Sequence, residues 1–366
     1  MYIHPDQNGD NKFLSWTWRG DLAVLSRQFL IWASLSALLV ISLLVWPLTA
    51  HSEQATAHGF ALRNQNPFLQ IFGLPPFQSA ILAREGTTNY DLSFDLVNHA
   101  DDGDNALEDF AVDGESYFLT LSLRRGMTQR LELGIDLPLV AHAEGFLDNA
   151  VEGWHDIFGL SNSNRDGVSN QLGFRYVNAS NTQYELSSPT FGIGDIQLTA
   201  AMPLRKAGDA SSRSVALRSS IKLPTGAADE LRGSGAVDFS LGLYASDTRI
   251  LWERGLDVSG FVGAVLLGDG DVLANIQRSA LPYGGMAATW HATENLRITT
   301  QIYAQGAYFD SDLEELGGAS VQFAVGGAYR LPGRGLSLSL AIVEDLVANA
   351  TPDFALHFSI RRTGGR

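Results

Sequence analysis

From about residue 88 onward the chain alternates apolar and polar residues one by one, in segments of about ten, and few folds accommodate that pattern. Tyr90, Leu92, Phe94 and Leu96 interleave with Asp91, Ser93 and Asp95. Leu131, Leu133, Ile135 and Leu137 interleave with Arg130, Glu132, Gly134 and Asp136, and Val215, Leu217, Ile221 and Leu223 stand against Arg218, Ser220 and Lys222. The alternation returns where Leu296, Ile298 and Ile302 face away from Arg297, Thr299 and Gln301, and again at Phe354, Leu356, Phe358 and Ile360 against His357, Ser359 and Arg361. Successive side chains of an extended chain point to opposite sides, so each segment is a strand with one oily and one polar face. A soluble sandwich hides the oily face inside, whereas a membrane barrel turns it outward. Length decides between them: sandwich strands run about five to six residues, and bilayer-spanning strands need about nine to eleven.

The spans read from the sequence are 88–98, 115–124, 129–139, 192–204, 214–224, 236–246, 255–267, 283–291, 296–308, 319–330, 336–345 and 353–361. Residues 170–187 hold further strand-like pieces, but a thirteenth spanning strand would leave the two ends of the barrel on opposite sides, so these read as a hairpin within a long outer loop. The expected fold is all-β: a transmembrane antiparallel up-and-down β-barrel of about 12 strands over residues 88–362. Short connections at 124–127, 292–295 and 331–335 alternate with longer, acidic ones, as outer-membrane barrels arrange them. Aromatic residues fall near strand ends, Tyr117, Tyr283 and Tyr308 at one side and Tyr90, Tyr244, Trp252, Trp290 and Tyr329 at the other, and read as two interfacial belts.

An export route fits this reading. Phe29 to Trp46 is an uncharged apolar run of 18 residues, preceded by Arg19 and Arg27 and followed by Pro47. Its length suits an anchor, but Ala55-Thr56-Ala57 has the small-x-small form of a cleavage site, with Leu48-Thr49-Ala50 as a weaker second. Residues 1–57 are therefore expected to be a signal peptide with a long n-region, which places the protein in the outer membrane of a diderm bacterium with both termini periplasmic. A net charge of -15, with 25 basic against 40 acidic side chains, argues against nucleic acid as a partner. With no cysteine, disulfides and thiolate metal sites are excluded.

Two stretches break the alternation. Between His58 and Gly86 lie Asn64-Gln65-Asn66-Pro67 and the apolar Ile71-Phe72-Gly73-Leu74-Pro75-Pro76, whose paired prolines forbid a central strand. Residues 58–87 are a periplasmic or lumenal segment: a plug in the barrel, or more plainly a lid or mobile leader at its base. In the long connection from 140 to 190, Phe146, Leu147, Ala150, Val151, Trp154, Ile157 and Phe158 recur at helical spacing, so a helix-containing long extracellular loop is expected. Its other face holds Asp148, Glu152, His155 and Asp156, which either constrict the pore mouth or face away while the helix packs as a cap outside the lumen.

Asn66-Pro67 followed by Phe72-Gly73-Leu74-Pro75-Pro76 is the first of a set of motifs. Gly145-Phe146-Leu147-Asp148 with Glu152-Gly153-Trp154-His155-Asp156 and Phe158-Gly159-Leu160 follow, then Gly194-Asp195 and Leu223-Pro224-Thr225-Gly226. Together these resemble the envelope proteins of the domain of unknown function family 3187, from about residue 64 to the C-terminus. The resemblance implies an exported barrel and carries no activity, ligand or catalytic residue to transfer.

No phosphate loop, zinc helix or nucleophile elbow is present, so neither an enzyme nor a cofactor is expected and no catalytic or metal-ligating residue is assigned. The polar faces place Asp91, Asp95, Arg130, Glu132, Asp136, Arg218, Lys222 and Arg297 along the lumen. With Asp195, Asp238 and Asp257 the acids outnumber the bases on these faces, which points to a mild preference for cations. The expected function is a passive pore or carrier for small polar solutes, with outer-membrane lipid and the barrel-assembly machinery as partners. A structural or surface-interaction barrel is the alternative, and an outer-membrane lipid hydrolase the third reading.

Overall fold

The computed structural model describes residues 59–145, 171–179, 183–206, 212–251, 255–347 and 350–363. The export segment and the loop carrying Asp148, Glu152, His155 and Asp156 lie outside these residues, as does Trp252. Fifteen strands form one sheet: β1 (Thr88–Asp104), β2 (Glu108–Thr128), β3 (Leu131–Ala143), β4 (Gly173–Asn178), β5 (Gln183–Leu186), β6 (Thr190–Ile193), β7 (Ile196–Arg205), β8 (Arg213–Leu223), β9 (Asp238–Leu251), β10 (Leu256–Leu266), β11 (Ala280–His291), β12 (Leu296–Gln305), β13 (Ser320–Leu331), β14 (Leu336–Val347) and β15 (Phe354–Thr363). Consecutive wall strands pair antiparallel, and β1 closes the circle against β15 with Tyr90 opposite Arg362 and Phe94 opposite Phe358. The β4–β5 hairpin stands apart from the wall and β6 with β7 makes one wall strand, which leaves a closed barrel of twelve. The hairpin adds to the long-loop end of β2, where Glu108–Asp113 pair with Gly173–Asn178. It can do so because β1 and β2, at 17 and 21 residues, overshoot what a bilayer requires.

The side-chain faces are inverted relative to a soluble protein. Phe94, Leu133, Leu198, Ile221, Leu241, Val262, Met286, Val325, Leu340 and Phe358 point outward and are 39% to 63% exposed, whereas Asp95, Glu132, Asp136, Arg218, Lys222, Asp238 and Gln301 are buried. An apolar girdle of that extent is unfavourable in water and favourable against lipid tails. Trp290 and Tyr329 sit half-exposed on the outside near the short turns, as a belt requires. Tyr244, Tyr283 and Tyr308 do not join a belt, since all three are buried inside. Tyr244 shares its alternation with Ser240 and Ser246, Tyr283 lies inside β11 rather than at its start, and Tyr308 is beyond the end of β12.

The lumen is filled by residues 59–86. This segment begins beside β12, where Gln301 accepts the Phe60 N–H at 2.8 Å and donates to the Phe60 carbonyl at 3.1 Å. It climbs to the long-loop end, where the Asn64 amide donates to Ser320 Oγ and the Ala350 carbonyl. There Asn66 accepts from Leu69 and Gln70 in a tight turn that Pro67 can occupy because it needs no donor. The chain then descends past β8, β9 and β12 to the short-turn end, where Gly86 donates to Gly126 and β1 begins. The two limbs are tied by Phe77 N–H to the Leu62 carbonyl, 2.9 Å. Phe68, Ile71, Phe72, Leu74 and Phe77 of this plug, the loop residues Leu231, Leu273, Phe309 and Leu316, and Phe110 and Phe174 make one continuous apolar core inside the barrel.

Candidate functional site

The plug meets the wall at Lys222, whose side chain is wholly buried. Its ammonium donates to the Ile71 carbonyl of the plug at 2.9 Å, to Asp195 Oδ2 at 2.7 Å and to Ser234 Oγ, and Asp238 Oδ2 lies 3.2 Å away. Asp238 in turn accepts the Gly73 N–H of the plug at 2.7 Å and the Gly268 N–H at 3.0 Å. Asp195 accepts from Gly226 N at 2.8 Å and Ser234 N at 3.1 Å. One ammonium thus faces two carboxylates, and four backbone N–H groups carry the excess negative charge, as a dry site demands. Gly73 is required here: a Cβ on it would stand 2.7 Å from the Asp238 Cβ.

A β-bulge puts Asp195 into this knot. Leu139 pairs with Ile193 on β6, but Asp136 pairs with Gln197 on β7, one residue out of step. The extra residue reverses the alternation, so Gly192 and Gln197 both face inward and Asp195 joins them. Thr225 fastens the bulge, donating to the Gly194 carbonyl at 2.8 Å and accepting from Ile196 N at 2.9 Å. Three motifs distant in sequence, Phe72-Gly73-Leu74-Pro75-Pro76, Gly194-Asp195 and Leu223-Pro224-Thr225-Gly226, therefore converge on one lysine. A cavity of about 10 Å³, room for one water, adjoins it between Arg63, Gln70, Phe72 and Pro138.

Below this latch the descending limb is held by a second charged group. Arg218 donates from Nε to the Ser79 carbonyl at 2.9 Å and from Nη1 to Glu132 at 2.7 Å, and Glu132 accepts the Ala83 N–H at 2.5 Å. The Tyr303 hydroxyl donates to the Pro75 carbonyl at 2.6 Å, and Ser246 Oγ accepts the Ala80 N–H at 3.0 Å. Each of these plug-to-wall bonds involves a side chain, and none is strand pairing.

Asp91, Asp95, Glu132, Asp136, Arg218 and Lys222 all face the lumen, and Arg297 lies on the inward face of β12 by its alternation with Thr299 and Gln301. Arg130 does not: it is exposed in the two-residue turn between β2 and β3, because β3 begins at Leu131. Each of these lumenal acids moreover has a basic partner, two of them sharing one lysine. Asp91 pairs with Arg361 at 2.6 Å, Asp95 with His357 at 2.6 Å, Asp136 with Arg124 at 2.8 Å and Asp257 with His291 at 2.7 Å. With Glu132 on Arg218 and Asp195 and Asp238 on Lys222, no unpaired carboxylate remains among the acids on which a cation preference was based. Arg124, Arg361 and the two histidines had escaped that comparison because they sit at strand ends or carry charge only when protonated.

A second buried polar group lies beneath the hairpin. His142 donates from Nε2 to the Leu231 carbonyl at 3.2 Å, so its Nδ1 accepts from Ser116 Oγ at 2.7 Å, and His99 Nε2 completes the row by donating to Ser116 at 2.9 Å. Phe174 of β4 packs its ring edge-on to both imidazoles, at 5.7 and 5.3 Å. Ser116 has the neighbours of a nucleophile but is wholly buried beneath that ring, so no acyl group reaches it in this arrangement.

Fold and site together define a plugged twelve-stranded barrel of the outer-membrane type. The chain belongs to the family described as "Protein of unknown function (DUF3187)", which matches residues 36–363. A solved outer membrane channel of the COG4313 group from Pseudomonas putida F1 shares the fold at 15% sequence identity and a TM-score of 0.51, covering 80% of this chain and 100% of its own. More distant are the NanC porin, 7% identical with a TM-score of 0.43 over 75% of this chain and 98% of that one, and the Pseudomonas putida toluene transporter TodX, 10% identical with 0.36 over 76% and 88%. A comparison with curated proteins found no match.

Proposed function

We propose that this protein is a passive channel of the outer membrane for small solutes, gated by its own residues 59–86, with the long-loop end outward and both termini periplasmic. Lipid surrounds the apolar girdle, and export followed by the barrel-assembly machinery delivers the chain there. The observation that carries the reading is the manner of attachment: apart from one backbone bridge at its base, Glu85 and Gly86 on Gly126, the plug is fastened to a closed barrel by side-chain bonds that water can replace, not by backbone ladders. A fixed structural core would gain from strand pairing, and a gate would lose by it.

The chain has no cysteine, so a single engineered pair tests the gate cleanly. Ser79 of the plug and Ser246 of β9 bring their hydroxyl oxygens to 3.2 Å. In the Ser79→Cys/Ser246→Cys protein, planar-bilayer recordings are expected to show channel openings under reducing conditions and their loss after oxidation. Equal currents in both states, or none in either from a folded barrel, would reject gating by this segment.

A further inference from the structure

We propose that the aromatic patch on the lumenal wall of β9 to β12 binds small neutral aromatic carbonyl compounds, and that Phe77 and Pro75 of the plug hold their place in the closed state. The site rests on the channel reading above and names the class of solute for it.

Phe261 is the centre of the patch. Tyr244 stacks on it at 5.0 Å and 19°, Tyr303 leans on it at 5.3 Å and 57°, and Tyr283 at 5.7 Å and 45°. These four rings come from four consecutive strands and lie close against the wall, because glycines leave them space. A Cβ on Gly285 would meet the Phe261 ring at 3.0 Å, one on Gly263 the Tyr283 ring at 2.5 Å, and one on Gly242 the Tyr244 ring at 2.9 Å. The result is an aromatic face on the lumenal wall, separate from the aliphatic cluster around Val97, Val140 and Val343. The Arg218 guanidinium stands 5.8 Å over the Tyr244 ring and is already committed to Glu132 and Ser79.

The plug supplies what this face recognises. Phe77 meets Phe261 edge-on at 5.1 Å and 76°, the arrangement that ring quadrupoles favour. Two residues earlier, the Pro75 carbonyl accepts the Tyr303 hydroxyl at 2.6 Å. One aromatic ring and one carbonyl oxygen are therefore the complement of the patch. When the descending limb moves aside, both positions empty together and an apolar face opens onto a wet lumen, where such faces take up ligands. A neutral aryl ketone, aldehyde, ester or amide carries both features in one small molecule. A charged solute would surrender hydration for nothing, and a saturated ring lacks the polar edge that meets Phe261.

The test uses the full chain in detergent, with folding verified by its heat-dependent gel migration, and acetophenone as the probe. Phe77→Ala deletes one benzene ring and leaves a cavity of that shape. Calorimetric titration is expected to show acetophenone binding to Phe77→Ala at least about tenfold more tightly than to the unaltered protein. Because the Pro75 carbonyl holds the Tyr303 hydroxyl while the plug is seated, the hydroxyl is read in a Lys222→Met background, where the limb is freed: there, adding Tyr303→Phe should weaken acetophenone binding about two- to tenfold through loss of one hydrogen bond. Cyclohexyl methyl ketone, similar in size and polarity, should bind several-fold more weakly than acetophenone. The site is overturned if folded Phe77→Ala fails to bind acetophenone, if the Tyr303 hydroxyl makes no difference, or if the saturated ketone binds equally well. Should Phe77→Ala not fold, Phe77→Leu opens a smaller space and is read by the same criteria. Binding here without current from the reduced Ser79→Cys/Ser246→Cys protein would reject the channel and leave the site; current without binding would reject the site and leave the channel.

Discussion

Replacing Lys222 by methionine removes the one cation in the latch while keeping most of its volume. Asp195 and Asp238 then remain buried with only their backbone donors, Gly226 and Ser234 for the first and Gly73 and Gly268 for the second. Breaking a buried ion pair by deleting one partner costs about 3 to 5 kcal/mol, because the survivor's charge stays unhydrated. In this barrel the survivors have a remedy: water reaches the carboxylates once the plug lifts from Gly73 onward and its N–H leaves Asp238. The penalty therefore falls on the closed state and favours the open one by that amount, which is about two to nearly four orders of magnitude in population. Single-channel recording should show a folded Lys222→Met protein open far more often than the unaltered one. Adding Asp195→Asn and Asp238→Asn removes the stranded charges and should restore most of the closure, since a site emptied of charge on both sides has little penalty left. A Lys222→Met barrel as quiet as the parent, or a triple variant as active as the single one, would refute the latch.

Gly73→Ala should also loosen the plug, because its Cβ falls 2.7 Å from that of Asp238 and overpacking of this kind costs about 1 to 3 kcal/mol. The same recordings should show opening raised by about five- to 150-fold, and an unchanged trace would count against the close approach. At the long-loop end, seven residues past Phe94 and beyond the apolar girdle, burial and then Asp353, Glu315, Asp102 and Asp345 push the Asp101 carboxyl up to about 8. A carboxyl that keeps its proton when folded and loses it near pH 4 when unfolded stabilises the fold below about pH 4, and that contribution fades as pH rises to 8. Thermal melts should show the apparent Tm falling between pH 5 and pH 9, with a smaller fall in Asp101→Asn; identical pH profiles would contradict this.

The alternation made all twelve wall strands legible, with Lys222, Arg218 and Glu132 on the correct face, because a period of two leaves a strand only one register that turns its oily side to lipid. Boundaries were less legible. Arg130 continues the alternation of β3 but belongs to the turn, and Tyr283 reads as a strand end although β11 begins at Ala280. Asp195 lay on a polar segment, yet its approach to Lys222 depends on a one-residue bulge that inverts the faces on either side of it. The plug was harder still. Paired prolines say what residues 59–86 cannot form, but their destination depends on bonds to Gln301, Asp238, Tyr303 and Arg218, more than a hundred positions away, and no local pattern encodes those.

The size of the apolar plug limits how the gate can work. Phe60, Leu62, Phe68, Leu69, Ile71, Phe72, Leu74 and Phe77 are all buried, and exposing each to water costs about 1.5 to 3 kcal/mol, so full ejection would require about 12 to 24 kcal/mol. Neither thermal motion nor the loss of one lysine reaches that. The stretch from Gly73 to Ala83 carries only Leu74 and Phe77 among these eight buried side chains, about 3 to 6 kcal/mol, and this is of the same order as the latch. Opening is therefore local: the rising limb and the turn at Asn66 stay seated while the stretch from Gly73 to Ala83 swings aside, and an aromatic solute taking Phe77's place against Phe261 lowers the remaining penalty. It follows that Lys222→Met should pass much smaller currents per opening than a barrel lacking residues 59–82. Equal unitary conductance in the two would mean that the whole segment leaves, and that the apolar contacts of its rising limb are weaker than their burial implies.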